Sequence, residues 1–189
     1  MSATRRTPEK RTDRRRPGTS KTVLITGGAR SGKSSFALTE ALKIAGGKAF
    51  IATAEATDDE MKERINRHKR DRGNGWKTFE EPVAIARLIK EIDGRYPVIV
   101  IDCLTLWLAN VMMSGLDAEK ETGRLMTALR ALKKSRVFIV SNEVGMGIVP
   151  ENELARRFRD MAGRLNQRVA EVSGEVYVTL SGIPVKIKG

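Results

Sequence analysis

Only one cysteine, Cys103, and one histidine, His68, occur among the 189 residues. A single thiol excludes an internal disulfide framework and a multi-cysteine metal site, and one imidazole argues equally against structural zinc. No apolar run is long enough to span a bilayer, and no apolar stretch near the start resembles a secretory signal. A thiol-poor chain without an export signal points to a reducing cytoplasm. An internal repeat is also missing, as is an Asn-Lys-x-Asp guanine-reading motif, which weakens a switch GTPase. What remains is a chain with a 40% apolar share, enough for one compact domain with a sizeable core.

The charge is less even than the total of +12 suggests. Residues 1–21 hold eight basic residues (Arg5, Arg6, Lys10, Arg11, Arg14, Arg15, Arg16 and Lys21) against Glu9 and Asp13, a net of +6 and half of the total. Pro8, Pro17 and Gly18 interrupt this stretch and few apolar residues accompany them, so residues 1–20 are expected to form a disordered basic arm. Glu9, Asp13 and the missing apolar face argue against an organellar transit peptide. The other +6 belongs to the folded part, where anionic small molecules such as nucleotides account for it as well as nucleic acid does.

From Lys21 onward, strand and helix patterns alternate. Apolar, β-branched runs predict strands at 22–26, 49–53, 98–102 and 137–140, with one or two more across 175–180 and 184–187. Helices are predicted over 33–45, 58–72, 83–92, 104–113, 118–133 and 151–172. In the last of these Leu154, Phe158, Met161, Leu165 and Val169 recur at helical spacing, opposite Arg156, Arg157, Arg164 and Arg168. Such alternation implies a mainly parallel sheet covered on both faces, with ligands at the carboxyl ends of the strands. That rule gathers the Gly27 loop, Thr53-Ala54-Glu55, Asp102, Ser141-Asn142-Glu143 and Ser181-Gly182.

One motif is chemically explicit. Gly27-Gly28-Ala29-Arg30-Ser31-Gly32-Lys33-Ser34 fits G-x-x-x-x-G-K-[ST], follows a predicted strand and opens a predicted helix. Glycines let backbone N–H groups close around phosphate oxygens, and the helix N-terminus adds partial positive charge. Lys33 can reach the β- and γ-phosphates, the Ser34 hydroxyl can ligate Mg2+, and Asp102 at the end of an apolar strand is the matching acid for the same ion. The expected fold is therefore α/β: a P-loop, RecA-like, mainly parallel sheet with helices on both faces, as a single domain over residues 21–189. The motif does not choose a reaction. A small-molecule kinase and a nucleic-acid-binding ATPase both remain open, although no separate nucleic-acid module is visible.

His68 lies in the basic run Arg64-Ile65-Asn66-Arg67-His68-Lys69-Arg70-Asp71-Arg72. On a helix Met61, Ile65 and His68 share one face at i, i+4, i+7, while Arg64 and Arg72 sit on flanking turns. The spacing is compatible with a packed histidine making one hydrogen bond, with a phosphate contact, and with a nucleophile attacking phosphorus. Cys103 reads as a buried structural thiol and Trp76 and Trp107 as core residues.

Residues 22–189 resemble the bifunctional adenosylcobinamide kinase and adenosylcobinamide-phosphate guanylyltransferase family of cobalamin biosynthesis. The resemblance is carried by Thr26 to Ser34, Ile51-Ala52-Thr53-Ala54, Asp59-Glu60-Met61, Arg64-Ile65 with His68 and Arg72, Trp76-Lys77-Thr78 with Glu80, and Asp102 to Leu108 with Asn110. It continues through Ser141 to Pro150, Phe158-Arg159-Asp160, Gly163-Arg164 and Asn166-Gln167. Gly73 stands where some relatives have proline, and the basic arm has no counterpart in the family. The resemblance implies phosphorylation of adenosylcobinamide by ATP or GTP. It further implies transfer of GMP from GTP, through guanylylated His68, to adenosylcobinamide phosphate. It places nucleotide contacts on Thr26, Gly27, Gly28, Ala29, Arg30, Ser31, Gly32, Lys33, Ser34, Ile51, Ala52, Thr53, Lys69, Arg70, Asp71, Arg72, Glu80 and Asp102. Lys33 and His68 are the implied catalytic residues, and Ser34 and Asp102 the implied Mg2+ ligands. Glu80 and Asp102 could serve either a guanine edge or the metal. The implied partners are the corrinoid substrates and, as in many relatives, two further copies forming a homotrimer. Neither nucleic acid nor a membrane is among them.

Overall fold

The computed structural model describes residues 20–55, 59, 62–63, 69–70, 73 and 75–189. The basic arm up to residue 19 lies outside the described residues. So does most of the expected helix over 58–72, of which Asp59, Lys62, Glu63, Lys69 and Arg70 have helical backbone.

Seven strands form one sheet: β1 (Thr22–Gly27), β2 (Lys48–Ala52), β3 (Trp76–Glu80), β4 (Val98–Asp102), β5 (Arg136–Val140), β6 (Glu175–Leu180) and β7 (Ile183–Lys188). Their order is β3-β2-β4-β5-β1-β6-β7. All neighbours pair in parallel except β6 and β7, which form an antiparallel hairpin. Among the described residues the helices are α1 (Lys33–Leu42), α2 (Ile85–Ile92), α3 (Leu104–Met113), α4 (Ala118–Arg130) and α5 (Glu153–Val172), with a 3₁₀ turn at Val144–Met146.

Strand side chains alternate between two cores, as a pleated sheet buried on both faces requires. Leu24, Ile51, Ile99, Ile101, Val137 and Ile139 pack with residues of α2 to α5, including Ile85, Trp107, Leu125 and Leu165. Val23, Ile25, Phe50, Val98, Val100, Phe138 and Val140 pack on the other side with Ala37 and Ala41 of α1. The expectation of helices on both faces holds, with four described helices on one side and α1 on the other.

Several boundaries differ from expectation, each for a local reason. α1 stops at Leu42 rather than residue 45, because the amides of Lys43 and Ile44 turn to carbonyls three residues back, Glu40 and Ala41. α2 starts at Ile85 rather than 83, since the Glu81 carboxylate accepts from the amides of Val83 and Ala84 at 3.1 and 2.7 Å. α4 ends at Arg130 rather than 133, because Asp93 accepts from the amides of Lys133, Lys134 and Ser135. α5 begins at Glu153, capped by the Asn152 side chain on the amide of Ala155 at 3.0 Å. Leu154, expected to face inward, is 64% exposed in that first turn. Strand β3 was not anticipated. It is the sheet edge, and its partly solvated side chains lack the continuous apolar run that marks the inner strands.

Candidate functional site: a phosphate loop at the carboxyl edge of the sheet

β1 ends at Gly27, with φ +148°, where a Cβ would stand 2.4 Å from the carbonyl oxygen of Thr179. Only glycine lets the chain pass β6 this closely. The Thr179 hydroxyl donates to the carbonyl of Thr26 at 3.1 Å and so accepts from the Ser31 hydroxyl at 2.7 Å. On the β6–β7 turn, the amide of Gly182 donates to the Ser31 carbonyl at 3.1 Å. The loop is thus pinned from the C-terminal hairpin. Gly28, Ala29 and Arg30 form its exposed crest, and Gly32, at φ +92°, starts α1 with no side-chain cap. An uncapped helix N-terminus directed into a glycine-rich loop is an anion site.

Lys33 is only 6% exposed, and its ammonium folds back to donate to the carbonyl of Gly28 and to Ser31 Oγ. Ser34 is half-buried on the first turn of α1. Asp102 ends β4, half-buried, in register with Ala52 and Val140. Strand β5 lies between β1 and β4, so the loop and Asp102 are two strand positions apart, roughly 10 Å at ordinary strand spacing. Ser34 and Asp102 offer hard oxygen donors. Among the described residues no group of three or more His, Cys, Asp or Glu side chains gathers, so a divalent ion would complete its shell with phosphate oxygens and water. That donor set fits Mg2+.

The other expected contacts are spread along the same edge. Ile51 is fully buried in the core, and Thr53 is fully buried with its hydroxyl committed to Cys103, accepting from the amide at 2.7 Å and donating to the carbonyl at 2.8 Å. Asn110 donates to the Thr53 carbonyl at 2.7 Å, fastening the ends of β2 and β4 to α3. Glu80 forms an exposed ion pair with Lys69 at 2.6 Å. Since β3 is four strand positions from β1, these two residues stand about 19 Å from the loop strand. Arg70 is exposed beside Lys69. His68, Asp71 and Arg72 lie outside the described residues. Cys103 is buried, and burial, followed by the neighbouring charge of Asp102, pushes its thiol up to about 11.

Sequence reasoning gathered Ser141-Asn142-Glu143 with the Gly27 loop at the ligand edge without giving them a role, and the structure sets them beside that loop. The amides of Ser141 and Glu143 donate to the carbonyls of Ile25 and Gly27, both at 3.0 Å. Asn166 of α5, 7% exposed, organises them. Its Oδ1 accepts from the Ser141 hydroxyl at 2.6 Å, and its Nδ2 donates to the Asn142 carbonyl at 3.2 Å and to Glu143 Oε1 at 3.1 Å. A buried asparagine at a core position of an amphipathic helix was the available signal. Thr179 gave none, because a threonine in a strand is unremarkable by sequence.

Residues 23–187 match the family model described as cobinamide kinase / cobinamide phosphate guanyltransferase. The chain is 42% identical over 170 residues to the bifunctional adenosylcobalamin biosynthesis protein CobP of Pseudomonas aeruginosa, covering 88% of this chain and 96% of that one. It is 39% identical over 181 residues to the bifunctional adenosylcobalamin biosynthesis protein CobU of Escherichia coli, covering 88% and 99%. A crystal structure of the RadB recombinase aligns at 16% identity with a TM-score of 0.48, covering 83% of this chain and 73% of that one. On the family match and the two relatives, the chain belongs to the cobinamide kinase / cobinamide phosphate guanyltransferase family, bifunctional P-loop enzymes of adenosylcobalamin biosynthesis.

Proposed function

We propose that this chain catalyses two transfers in series. Adenosylcobinamide is first phosphorylated on its aminopropanol hydroxyl by ATP or GTP. GMP is then moved from GTP to adenosylcobinamide phosphate through a guanylyl group on His68, giving adenosylcobinamide-GDP. The observation that carries this reading is the family match over nearly all of the folded chain, residues 23–187.

In the first transfer the phosphate loop, residues 27–34, seats the triphosphate, and Lys33 swings from the Gly28 carbonyl to the β- and γ-phosphates. Ser34 and Asp102 would hold Mg2+, which supplies charge neutralisation to the phosphate oxygens. The hydroxyl oxygen bonds to the γ-phosphorus as the β–γ bridge breaks, releasing nucleoside diphosphate and one proton. In the second transfer a neutral His68 nitrogen bonds to the α-phosphorus of GTP while the bond to the bridging oxygen breaks and pyrophosphate leaves. A phosphate oxygen of the corrinoid then displaces the histidine. Two easier displacements replace one difficult one. Arg72 and Lys69 are the proposed sources of positive charge for this step, with Glu80, the ion-pair partner of Lys69, orienting Lys69.

The reading is tested with GTP labelled at the α-phosphate. The expected result is an acid-labile, protein-bound label that is lost in His68→Ala, while that variant still phosphorylates adenosylcobinamide. Full guanylyl transfer by His68→Ala would remove His68 from the mechanism. A self-associating chain is part of the same proposal: sedimentation should give the mass of three copies.

A further inference from the structure

We infer that Glu143 is the catalytic base that takes the proton of the acceptor hydroxyl during phosphoryl transfer, and that Asn166 is its positioning residue. The inference rests on the kinase half of the proposed function. Phosphoryl transfer to an alcohol releases a proton from the attacking oxygen, and P-loop chemistry places that oxygen beyond the γ-phosphate, at the carboxyl edge of the sheet.

The described carboxylates at this edge differ sharply in what they are free to do. Glu80 is four strand positions from β1 and paired with Lys69. Glu81 caps α2. Glu55 is exposed beyond β2, three positions away. Asp102 is the candidate metal ligand. Glu143 follows β5, the strand between the phosphate-loop strand and the Asp102 strand. Its amide is bonded to the carbonyl of Gly27, the first residue of the phosphate loop, so its backbone cannot drift from the site.

The side chain is built in as well. Asn166 uses both amide hydrogens on this segment, one on Asn142 and one on Glu143 Oε1, and its own oxygen is fixed by Ser141. A buried amide on α5 thereby holds a half-buried carboxylate through Glu143 Oε1. In the step, the acceptor oxygen bonds to the γ-phosphorus, the β–γ bridging bond breaks, and the hydroxyl proton passes to Glu143. From there it goes to water as the nucleoside diphosphate leaves. Guanylyl transfer accepts on a phosphate oxygen that carries no proton to remove, so it has no use for this base.

The test is Glu143→Gln in the full chain, an isosteric change that keeps the Asn166 contact. Phosphorylation of adenosylcobinamide is followed with saturating triphosphate, and GMP transfer is followed separately with adenosylcobinamide phosphate supplied. The expected result is a kinase kcat lower by about 10²–10⁴-fold, with the triphosphate KM and the GMP transfer rate retained. Asn166→Ala should lower kinase kcat, again without raising the triphosphate KM. A kinase kcat close to that of the unmodified chain overturns the inference. So does an equal loss of both activities, which marks a structural role, or recovery at high magnesium concentration, which marks a metal ligand. An unmodified chain that performs guanylyl transfer but never phosphorylates adenosylcobinamide would overturn the kinase reading and this inference together.

Discussion

Gly27 shows how little freedom the phosphate loop has. Its φ of +148° and the 2.4 Å approach of a would-be Cβ to the Thr179 carbonyl mean that Gly27→Ala must displace either β6 or the loop. We expect that variant to lose about 1–3 kcal/mol of stability and most of its triphosphate affinity, read by denaturant midpoint and nucleotide titration. Thr179→Val keeps the shape but removes the hydroxyl between Thr26 and Ser31. It should weaken nucleotide binding while costing about 1 kcal/mol in stability. Cys103 offers a contrasting case. Buried, and with its thiol pushed up to about 11, it should resist a thiol reagent at neutral pH in the native chain and react fully once unfolded. The loop residues 27–34 were legible in the sequence because their chemistry is contiguous. Thr179 was not, since its partner Ser31 is 148 positions away.

Among the elements, the turn after α2 shows a carboxylate acting as a bracket. Burial pushes the Asp93 carboxyl up, but the amides of Ser135, Lys133 and Lys134 outweigh it and hold the group below its usual range. A carboxyl lowered on folding stabilises the protein above its unfolded pKa, and that contribution disappears as pH falls through the folded one. Burial likewise raises Glu175, while Lys186, Tyr177 and Arg136 outweigh it and lower the group. Stability should therefore fall as pH drops below the ordinary carboxylate range. In Asp93→Ala that decline should be shallower, from a native state weaker by about 1–3 kcal/mol at neutral pH, as measured by urea denaturation across pH. Inner strands such as β4 and β5 were readable because two buried faces demand an unbroken apolar run. Helix ends were less so: Glu81 and Asp93 fix them through contacts that periodicity does not encode.

On the scale of the molecule, the sequence pattern implied a parallel sheet with a ligand edge, but not the order of its strands. Pairing is decided by which faces fit, and nothing in 22–27 announces that its neighbours are 136–140 and 175–180. The order matters, because it sets β5 between the loop and Asp102 and so brings Glu143 to the site. The basic arm belongs to this scale too. With six of the twelve net charges of the chain in residues 1–21, removing residues 1–19 should reduce retention on a polyanion column while leaving both transfer activities intact. Loss of either activity would assign the arm to the enzyme itself.

The position of β1 also bears on how the protein comes into being. The phosphate loop is synthesised before the strands on either side of its own, β5 and β6, and before the hairpin turn that grips Ser31. A nascent chain that has displayed its entire nucleotide motif thus still lacks the frame that shapes it. Affinity for a triphosphate is acquired late in synthesis, and nucleotide retention becomes a marker of a chain finished through β6 and its turn.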